Sequence, residues 1–162
     1  MKALPGILSL LIIACLSLAY RPALAADGAR QVVYHADFSD PRRFSAMLTS
    51  INNMVVYYKN QLLDYDIHIV FVSHGIRFLT DNKLKDTPFA SDEKLEERRE
   101  NLHGRLATLN KIHNVKLELC NITRSEIGLA KDALYENVQT VPSGVVRIAE
   151  LQNDGYSYIK IE

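Results

Sequence analysis

The sequence has little cysteine and no surplus of charge of either sign. Its 162 residues include two cysteines, and 19 basic residues balance 19 acidic ones. Proteins that bind nucleic acid or anionic membranes usually carry a basic surplus, so the balance favours neither partner. Spacings typical of metal-ligand pairs, such as C-x-x-C and H-x-x-x-H, are also missing. We therefore expect no nucleic-acid partner and no bound cofactor.

The first 25 residues have the pattern of a secretory signal peptide. Lys2 supplies one positive charge, residues 7–19 form an apolar run, and residues 23–25 form an A-x-A cleavage site. The run is shorter than the about 20 residues that a transmembrane helix needs. We expect cleavage after residue 25 and a periplasmic or secreted location, with no membrane attachment after cleavage. Two alternatives stay open: an uncleaved N-terminal anchor, and a lipoprotein with lipid on Cys15.

The remaining residues, 26–162, have the length of one domain, because 162 − 25 leaves 137 residues. Cleavage removes Lys2 and Arg21, which leaves 17 basic against 19 acidic residues and a formal net charge of −2. It also removes Cys15, so Cys120 has no partner in its own chain. An odd cysteine in a secreted protein suggests an intermolecular disulfide or a reactive thiol. The alternative is a buried cysteine that packs as a small apolar side chain.

The hydrophobic pattern predicts strands that alternate with helices. Apolar and alternating runs indicate strands at residues 31–37, 67–73, 115–119, 138–141 and 156–161. Helical patterns lie between them, at residues 40–62, 91–112, 125–134 and 144–152, and residues 76–90 form the least regular connection. This alternation predicts an α/β domain with a mainly parallel sheet.

Two of the predicted helices have a clear apolar face. Asp40 followed by proline marks the start of the first, and Ser91 can cap the second. The inward face of the first helix is predicted to consist of Phe44, Met47, Leu48, Ile51, Val55, Tyr58 and Leu62. That of the second is predicted to consist of Leu95, Leu102, Leu106, Leu109 and Ile112.

In a parallel sheet the carboxyl ends of all strands lie at one edge, where ligands commonly bind. Polar and small residues lie at or just after the ends of the first four predicted strands, and we expect them to gather along that edge. They are His35 and Asp37, Ser73, His74 and Gly75, Cys120 and Asn121, and Pro142, Ser143 and Gly144.

Cys120 ends a predicted strand, and the next helix is expected to begin near residues 123–125. A thiol that faces a helix N-terminus meets unpaired N–H groups and the positive end of the helix dipole, which favour the thiolate. Protonated His74 or His35 beside it would lower the pKa of the thiol further. We therefore expect Cys120 to be a partly accessible, reactive thiol. A thiolate can attack the sulfur of a persulfide or disulfide and then carry sulfane sulfur itself.

The chain resembles the DsrE/DsrF-like sulfur-relay family, and in particular its small exported branch, from about residue 31 to the C-terminus. The resemblance is carried by the order and spacing of seven segments: Val33-Tyr34-His35, Val70-Phe71-Val72-Ser73-His74-Gly75, Phe78-Leu79, Leu119-Cys120-Asn121-Ile122-Thr123, Val141-Pro142-Ser143-Gly144-Val145, Leu151-Gln152 and Gly155-Tyr156-Ser157-Tyr158-Ile159-Lys160.

The resemblance implies a single flavodoxin-like three-layer α/β domain with a mainly parallel sheet of about five strands. It also implies a homotrimer or hexamer and sulfur donor or acceptor proteins as partners. Relay members carry, on the loop after a central strand, a cysteine that accepts sulfur as a persulfide, and Cys120 stands at the matching place. The chain departs from many relatives at Ile76-Arg77, where they have a further glycine. Arg77 can itself meet an anion there.

Three classes of function follow. The first is thiol-based sulfur binding or transfer, with Cys120 as the acceptor and His74 and His35 as modulators; whether the chain turns over as an enzyme stays open. The second is a non-catalytic ligand-binding or assembly module in which Cys120 only packs. The third is a metal site that uses Cys120, His35, His74 and Asp37, or acyl transfer by a Cys-His-Asn arrangement.

Overall fold

The computed structural model of the protein describes residues 28–162. The predicted signal peptide, its cleavage site and Cys15 lie outside these residues. Within the described part of the chain, no helix is long and apolar enough to cross a membrane.

Five parallel strands form one sheet. The strands are β1 (Arg30–Ala36), β2 (Tyr65–Phe71), β3 (Lys116–Cys120), β4 (Val138–Val141) and β5 (Ser157–Ile159). Their order across the sheet is β4-β3-β2-β1-β5, and every neighbouring pair is parallel. Five α-helices connect them: α1 (Pro41–Asn60), α2 (Glu93–Glu96), α3 (Arg99–His113), α4 (Asn121–Glu126) and α5 (Gly144–Asn153). Two short 3-10 helices span Ser73–Phe78 and Lys131–Ala133.

Helices cover both faces of the sheet. One face, with Tyr34 and Ile69, packs against α1 and α3 in the larger apolar core. The other face, with Val33 and Val70, packs against Ile148 and Leu151 of α5 in a much smaller cluster. Successive residues of a strand point to opposite faces, so the near-continuous apolar runs of β1 and β2 suit a sheet buried on both sides. The predicted flavodoxin-like three-layer α/β domain is confirmed.

Helix α1 begins where the sequence predicts. The carboxylate of Asp40 accepts the backbone N–H of Arg42 at 2.7 Å, and Pro41 occupies the first helical position. The predicted apolar face is buried from Phe44 to Val55. Its last member, Leu62, is exposed, because the helix ends at Asn60 and Leu62 lies in the turn that follows, with a φ of 55°.

The second helical region differs from its prediction at both ends. Asp92, and not Ser91, caps α2 and accepts the N–H of Leu95 at 2.9 Å. The predicted inner leucines are buried, but Ile112 is exposed. The chain reverses at Asn114, which has a φ of 54°, and Val115 is buried instead.

The helix predicted at residues 125–134 is placed too late and is too long. Helix α4 starts at Asn121, directly after β3, and ends at Glu126. Gly128, with a φ of 65°, then turns the chain, and only a 3-10 turn at Lys131–Ala133 follows. A left-handed residue cannot continue an α-helix, and glycine adopts this conformation at low cost. The early start places Cys120 itself at the N-cap of α4.

Candidate functional site

Cys120 lies where two helices begin. It is the last residue of β3 and the N-cap of α4, and it pairs with Val141, after which the chain enters α5. The first residue of α5, Gly144, is so close that a Cβ there would lie 3.0 Å from the Cβ of Cys120. The thiol therefore faces the N-terminal turns of both helices.

Four N–H and O–H groups lie around the sulfur of Cys120 and favour its charged form. Three are backbone N–H groups, from Gly144 in α5 and from Thr123 and Ile122 in α4, and the fourth is the hydroxyl of Thr123. Burial raises the pKa of the thiol, but these donors favour the charged form and outweigh it, so the pKa lies below its ordinary value. The site thus favours a thiolate through the N–H groups and the hydroxyl around it.

Thr123 connects this site to the end of β2. Its buried hydroxyl accepts the backbone N–H of Ser73 at 3.1 Å. A hydroxyl is one donor and two acceptors, so the proton of Thr123 stays available to the sulfur of Cys120. The bond ties Ser73, which has a left-handed φ of 52°, to the first turn of α4. Thr123 therefore supplies a hydroxyl donor beside Cys120, and its bond from Ser73 holds that hydroxyl in place.

Asn121 and Ser143 follow the strands as predicted, but their side chains serve the helices. The Asn121 carboxamide oxygen accepts from Arg124 at 3.0 and 2.8 Å. The hydroxyl of Ser143 caps α5 by accepting the N–H of Val146 at 3.5 Å. Both residues therefore shape the helix starts around Cys120.

His35 lies in a different part of the edge. Its Nδ1 is 3.0 Å from the hydroxyl of Tyr158, and its Nε2 is 3.9 Å from the carboxylate of Asp37. Burial lowers the pKa of His35, against the opposing effect of Asp37, while nearby Lys160 lowers it further. Because β2 separates β1 from β3, two strand spacings, about 10 Å in all, separate the strand of His35 from that of Cys120.

Asp37 belongs to the same group as His35. Its carboxylate accepts the ammonium of Lys160 at 2.8 Å. Burial opposes ionisation, but this bond and the neighbouring His35 outweigh it, and the pKa of Asp37 lies below its ordinary value. The predicted edge thus divides into a cysteine site at β3–β4 and a charged group at β1–β5.

His74 and Gly75 lie in the 3-10 turn after β2. The ring of His74 packs edge-on against Phe89, with centroids 5.3 Å apart, and its Nδ1 is 3.3 Å from the hydroxyl of Ser73. Gly75 packs on the end of β1, where a Cβ would lie 2.1 Å from the carbonyl oxygen of Ala36. Among residues 28–162, no hydrogen bond joins either predicted histidine to Cys120.

Arg77 does not face an open anion site. Its side chain is buried and donates to the carboxylate of Asp92 at 2.9 Å. It links the turn after β2 to the cap of α2, which is a structural role.

Comparison with models of known protein families identifies the family of this chain. The model of the DsrE/DsrF-like family matches residues 32–161. The chain belongs to the DsrE/DsrF-like family. Comparison with curated proteins gives no match.

Two solved structures resemble this DsrE/DsrF-like protein. One is the protein of unknown function MTH1491 from Methanobacterium thermoautotrophicum, 26% identical, with a TM-score of 0.60 over 80% of this chain and 96% of that one. The other is the YchN protein from E. coli, with a TM-score of 0.53 over 81% of this chain and 98% of that one. YchN is 14% identical and supports the fold alone.

The geometry of this DsrE/DsrF-like protein gives the metal alternative no support. In the part of the chain that the structure describes, no three histidine, cysteine or acidic side chains lie close enough together to hold a metal ion. His35 and Asp37 lie together, but Cys120 and His74 lie elsewhere.

The thiol is less accessible than we expected. Cys120 is only 4% exposed, so the prediction of a partly accessible residue is wrong. The first turns of α4 and α5 close over the strand end, a proximity that the sequence does not indicate. The residues that follow in these turns, Ile122, Val145 and Val146, are apolar and exposed.

The sequence analysis did not identify Thr123 and the backbone of Gly144 as part of the site. Thr123 had a local signal, because threonine in the first turn of a helix often bonds to backbone groups. Gly144 was recognised as a residue at the strand end, but its approach to Cys120 depends on how α5 lies on the sheet.

Proposed function

We propose that this DsrE/DsrF-like protein binds or relays sulfane sulfur through Cys120. The observation that carries the proposal is the position of one thiol at the start of two helices, where N–H groups and a hydroxyl lower its pKa. Such donors lower the pKa of a thiol and raise its thiolate fraction. Relay members of the family use a cysteine at the matching place.

The transfer step is a thiol–persulfide exchange. The thiolate of Cys120 attacks the outer sulfur of a donor persulfide, R–S–SH. The new bond joins Sγ to that sulfur, the S–S bond of the donor breaks, and the donor leaves as the thiolate R–S⁻. The product is Cys120 persulfide, and no external oxidant or reductant is consumed. The reverse step, with an acceptor thiolate as the attacking group, returns Cys120 to the thiolate.

The same donors suit the product. The N–H groups of Gly144, Thr123 and Ile122 can bond to a negatively charged sulfur, whether thiolate or persulfide, because they are fixed at the helix starts. Persulfides are better acids than thiols, so the anion is the form to be stabilised. In the described part of the chain no hydrogen bond joins His74 or His35 to Cys120, and we assign them no step in the exchange.

A mass measurement tests this proposal. Purified protein is exposed to polysulfide, freed of excess reagent and analysed intact and after digestion. We expect one added sulfur atom per chain, on Cys120, and none on Cys120→Ala or Cys120→Ser. Addition of a thiol reductant should remove it. Absence of added sulfur on the correctly folded wild-type protein would contradict the proposal.

The burial of Cys120 favours a second candidate, a non-catalytic ligand-binding or assembly module in which the thiol only packs. In that case native alkylation should be slow, polysulfide should add nothing, and Cys120→Ser should unfold at clearly lower denaturant concentration. A hydroxyl left unpaired in an apolar site costs about 1–3 kcal/mol. The four donors argue against this outcome, because they would pair with the serine hydroxyl.

We also propose that the protein is exported and assembles as a homotrimer or hexamer. Export is based on the signal-peptide pattern of residues 1–25, and assembly on the resemblance to the family. Mass spectrometry of the exported form should show an N-terminus at residue 26, whereas an intact first residue or a lipid on Cys15 would contradict cleavage. Light scattering at micromolar concentration should show three or six chains, and a monomer would contradict assembly.

A further inference from the structure

A partly buried ion pair connects β3 to α5 beside the cysteine site. The guanidinium of Arg147 donates to both carboxylate oxygens of Glu118, at 3.0 and 3.1 Å. Glu118 lies two residues before Cys120 on β3, and Arg147 lies three residues after Gly144 on α5. The pair therefore spans the same two elements as the contact between Gly144 and Cys120, one helical turn away from it.

We propose that Glu118 and Arg147 form a positioning pair that keeps the N–H of Gly144 directed at the sulfur of Cys120. The pair acts through Gly144 and does not touch the sulfur. The inference rests on the proposed role of Cys120 and names the residues that set its geometry.

Apolar packing alone does not fix the first turn of α5. The buried apolar side chains of this helix, Ile148 and Leu151, come after its first turn. In the first turn, Val145 is 64% exposed and Val146 is 55% exposed. Gly144 itself is buried against Val72 and Cys120 but contributes no side chain. The bidentate bond from Arg147 thus adds a side-chain contact that attaches the first turn of α5 to the sheet.

Glu118 is itself held in place from a second side. His68 of β2 places its Nδ1 3.1 Å from the Glu118 carboxylate and its Nε2 3.4 Å from the carboxylate of Asp66. Asp66 in turn accepts from Lys116 and from the hydroxyl of Tyr156, each at 2.8 Å. The Glu118 side chain is 5% exposed and enclosed by these groups, so it presents Arg147 with a fixed acceptor.

The exact position of the first turn of α5 matters because hydrogen bonds weaken steeply with distance and misalignment. A small outward movement of the first turn of α5 would remove the Gly144 donor from the thiolate, while burial by α4 would remain. Loss of the pair should therefore raise the thiol pKa without unfolding the domain. Arg147→Met is the suitable variant, because it retains much of the apolar stem of the side chain.

The test is a titration of the thiolate absorbance of Cys120 in the full chain. We expect Arg147→Met to raise the apparent pKa of the thiol and to give roughly tenfold less thiolate below the wild-type pKa, as one pKa unit implies. Arg147→Lys keeps the charge but loses the bidentate geometry, so an intermediate pKa is expected. Ile69→Val, a core change on the opposite face, serves as a control for general destabilisation and should leave the pKa unchanged.

Glu118→Gln provides a second variant if Arg147→Met does not fold, as checked by circular dichroism. It should also raise the thiol pKa. A wild-type pKa in a folded Arg147 or Glu118 variant would overturn the inference, and so would an equal rise in Ile69→Val. Polysulfide loading of the wild-type protein is measured in parallel. A raised pKa in the variants without sulfur loading of the wild type supports the positioning pair and rejects the proposed function.

Discussion

Gly144 approaches Cys120 so closely that a Cβ at position 144 would lie 3.0 Å from the Cβ of Cys120 and 2.6 Å from a methyl group of Val72. Both contacts are tighter than side chains normally allow. Glycine is therefore required here for close approach of the helix to the strand. The approach places the first N–H of α5 at the sulfur.

Substitution Gly144→Ala should raise the pKa of the Cys120 thiol. The added methyl group pushes the first turn of α5 away from Val72 and Cys120, which lengthens the bond from the backbone N–H to the sulfur. Overpacking of this kind typically costs about 1–3 kcal/mol of stability. Titration of thiolate absorbance measures the pKa, and Val145→Ala, at the exposed next position, is the control. An unchanged pKa in Gly144→Ala would count against the role of this donor.

Thr123→Val should both destabilise the protein and raise the thiol pKa. Valine has nearly the same shape but leaves the N–H of Ser73 without its acceptor and removes the hydroxyl donor to Cys120. An unsatisfied buried N–H costs about 1–3 kcal/mol. Urea unfolding and thiolate titration measure the two effects. Thr123→Ser keeps the hydroxyl and should behave like the wild type in the titration; a pKa as high as that of the valine variant would exclude the hydroxyl as the cause.

Gly75→Ala should lower the free energy of unfolding by about 1–3 kcal/mol or more, because the new Cβ would lie 2.1 Å from the carbonyl oxygen of Ala36. The backbone of β1 cannot move aside as a flexible side chain could. Gly104→Ala is a matched control in α3, where nothing lies within 4 Å of the added methyl group. It should stabilise by about 0.5–1 kcal/mol, since alanine favours a helix interior. Denaturant unfolding measures the change in the free energy of unfolding for both variants. Equal changes would contradict the close contact between Gly75 and Ala36.

The stability of the domain should fall in acid, in part because of Glu118. Burial raises the pKa of this carboxyl, but the nearby His68 and the bonds from Arg147 outweigh burial, and the net pKa lies below the ordinary value of 4.5. The folded state then binds fewer protons than the unfolded state. The stabilisation is complete above pH 4.5 and is lost as the pH falls through the folded pKa.

Glu118→Gln should therefore lose less stability between neutral and acid pH than the wild type. Urea unfolding at neutral and at acid pH measures the loss of stability in each variant. Glu126→Gln, at an exposed position, is the control. An acid-induced loss as large in Glu118→Gln as in the wild type would show that Glu118 contributes nothing to it.

The sequence by itself determined the elements and the type of sheet. The continuous apolar runs of β1 and β2, and the cap at Asp40 with its proline, are local patterns, and each predicts its element without reference to the rest of the chain. Alternation of strands and helices then requires a parallel sheet, which places Cys120 at its carboxyl edge. Where an element ends depends on its neighbours, and the predictions for Leu62, Ile112 and residues 125–134 were wrong for that reason.

Only the tertiary structure decided which residues share a site. The order β4-β3-β2-β1-β5 places His35 two strands away from Cys120, although both follow predicted strands. The packing of α5 on the sheet brings Gly144 close to Cys120 and Arg147 to Glu118. It also helps to bury a thiol that the sequence predicted to be partly accessible. These contacts join residues that are distant in the chain. Local periodicity records which face of an element is buried, but it carries no information about which element covers that face.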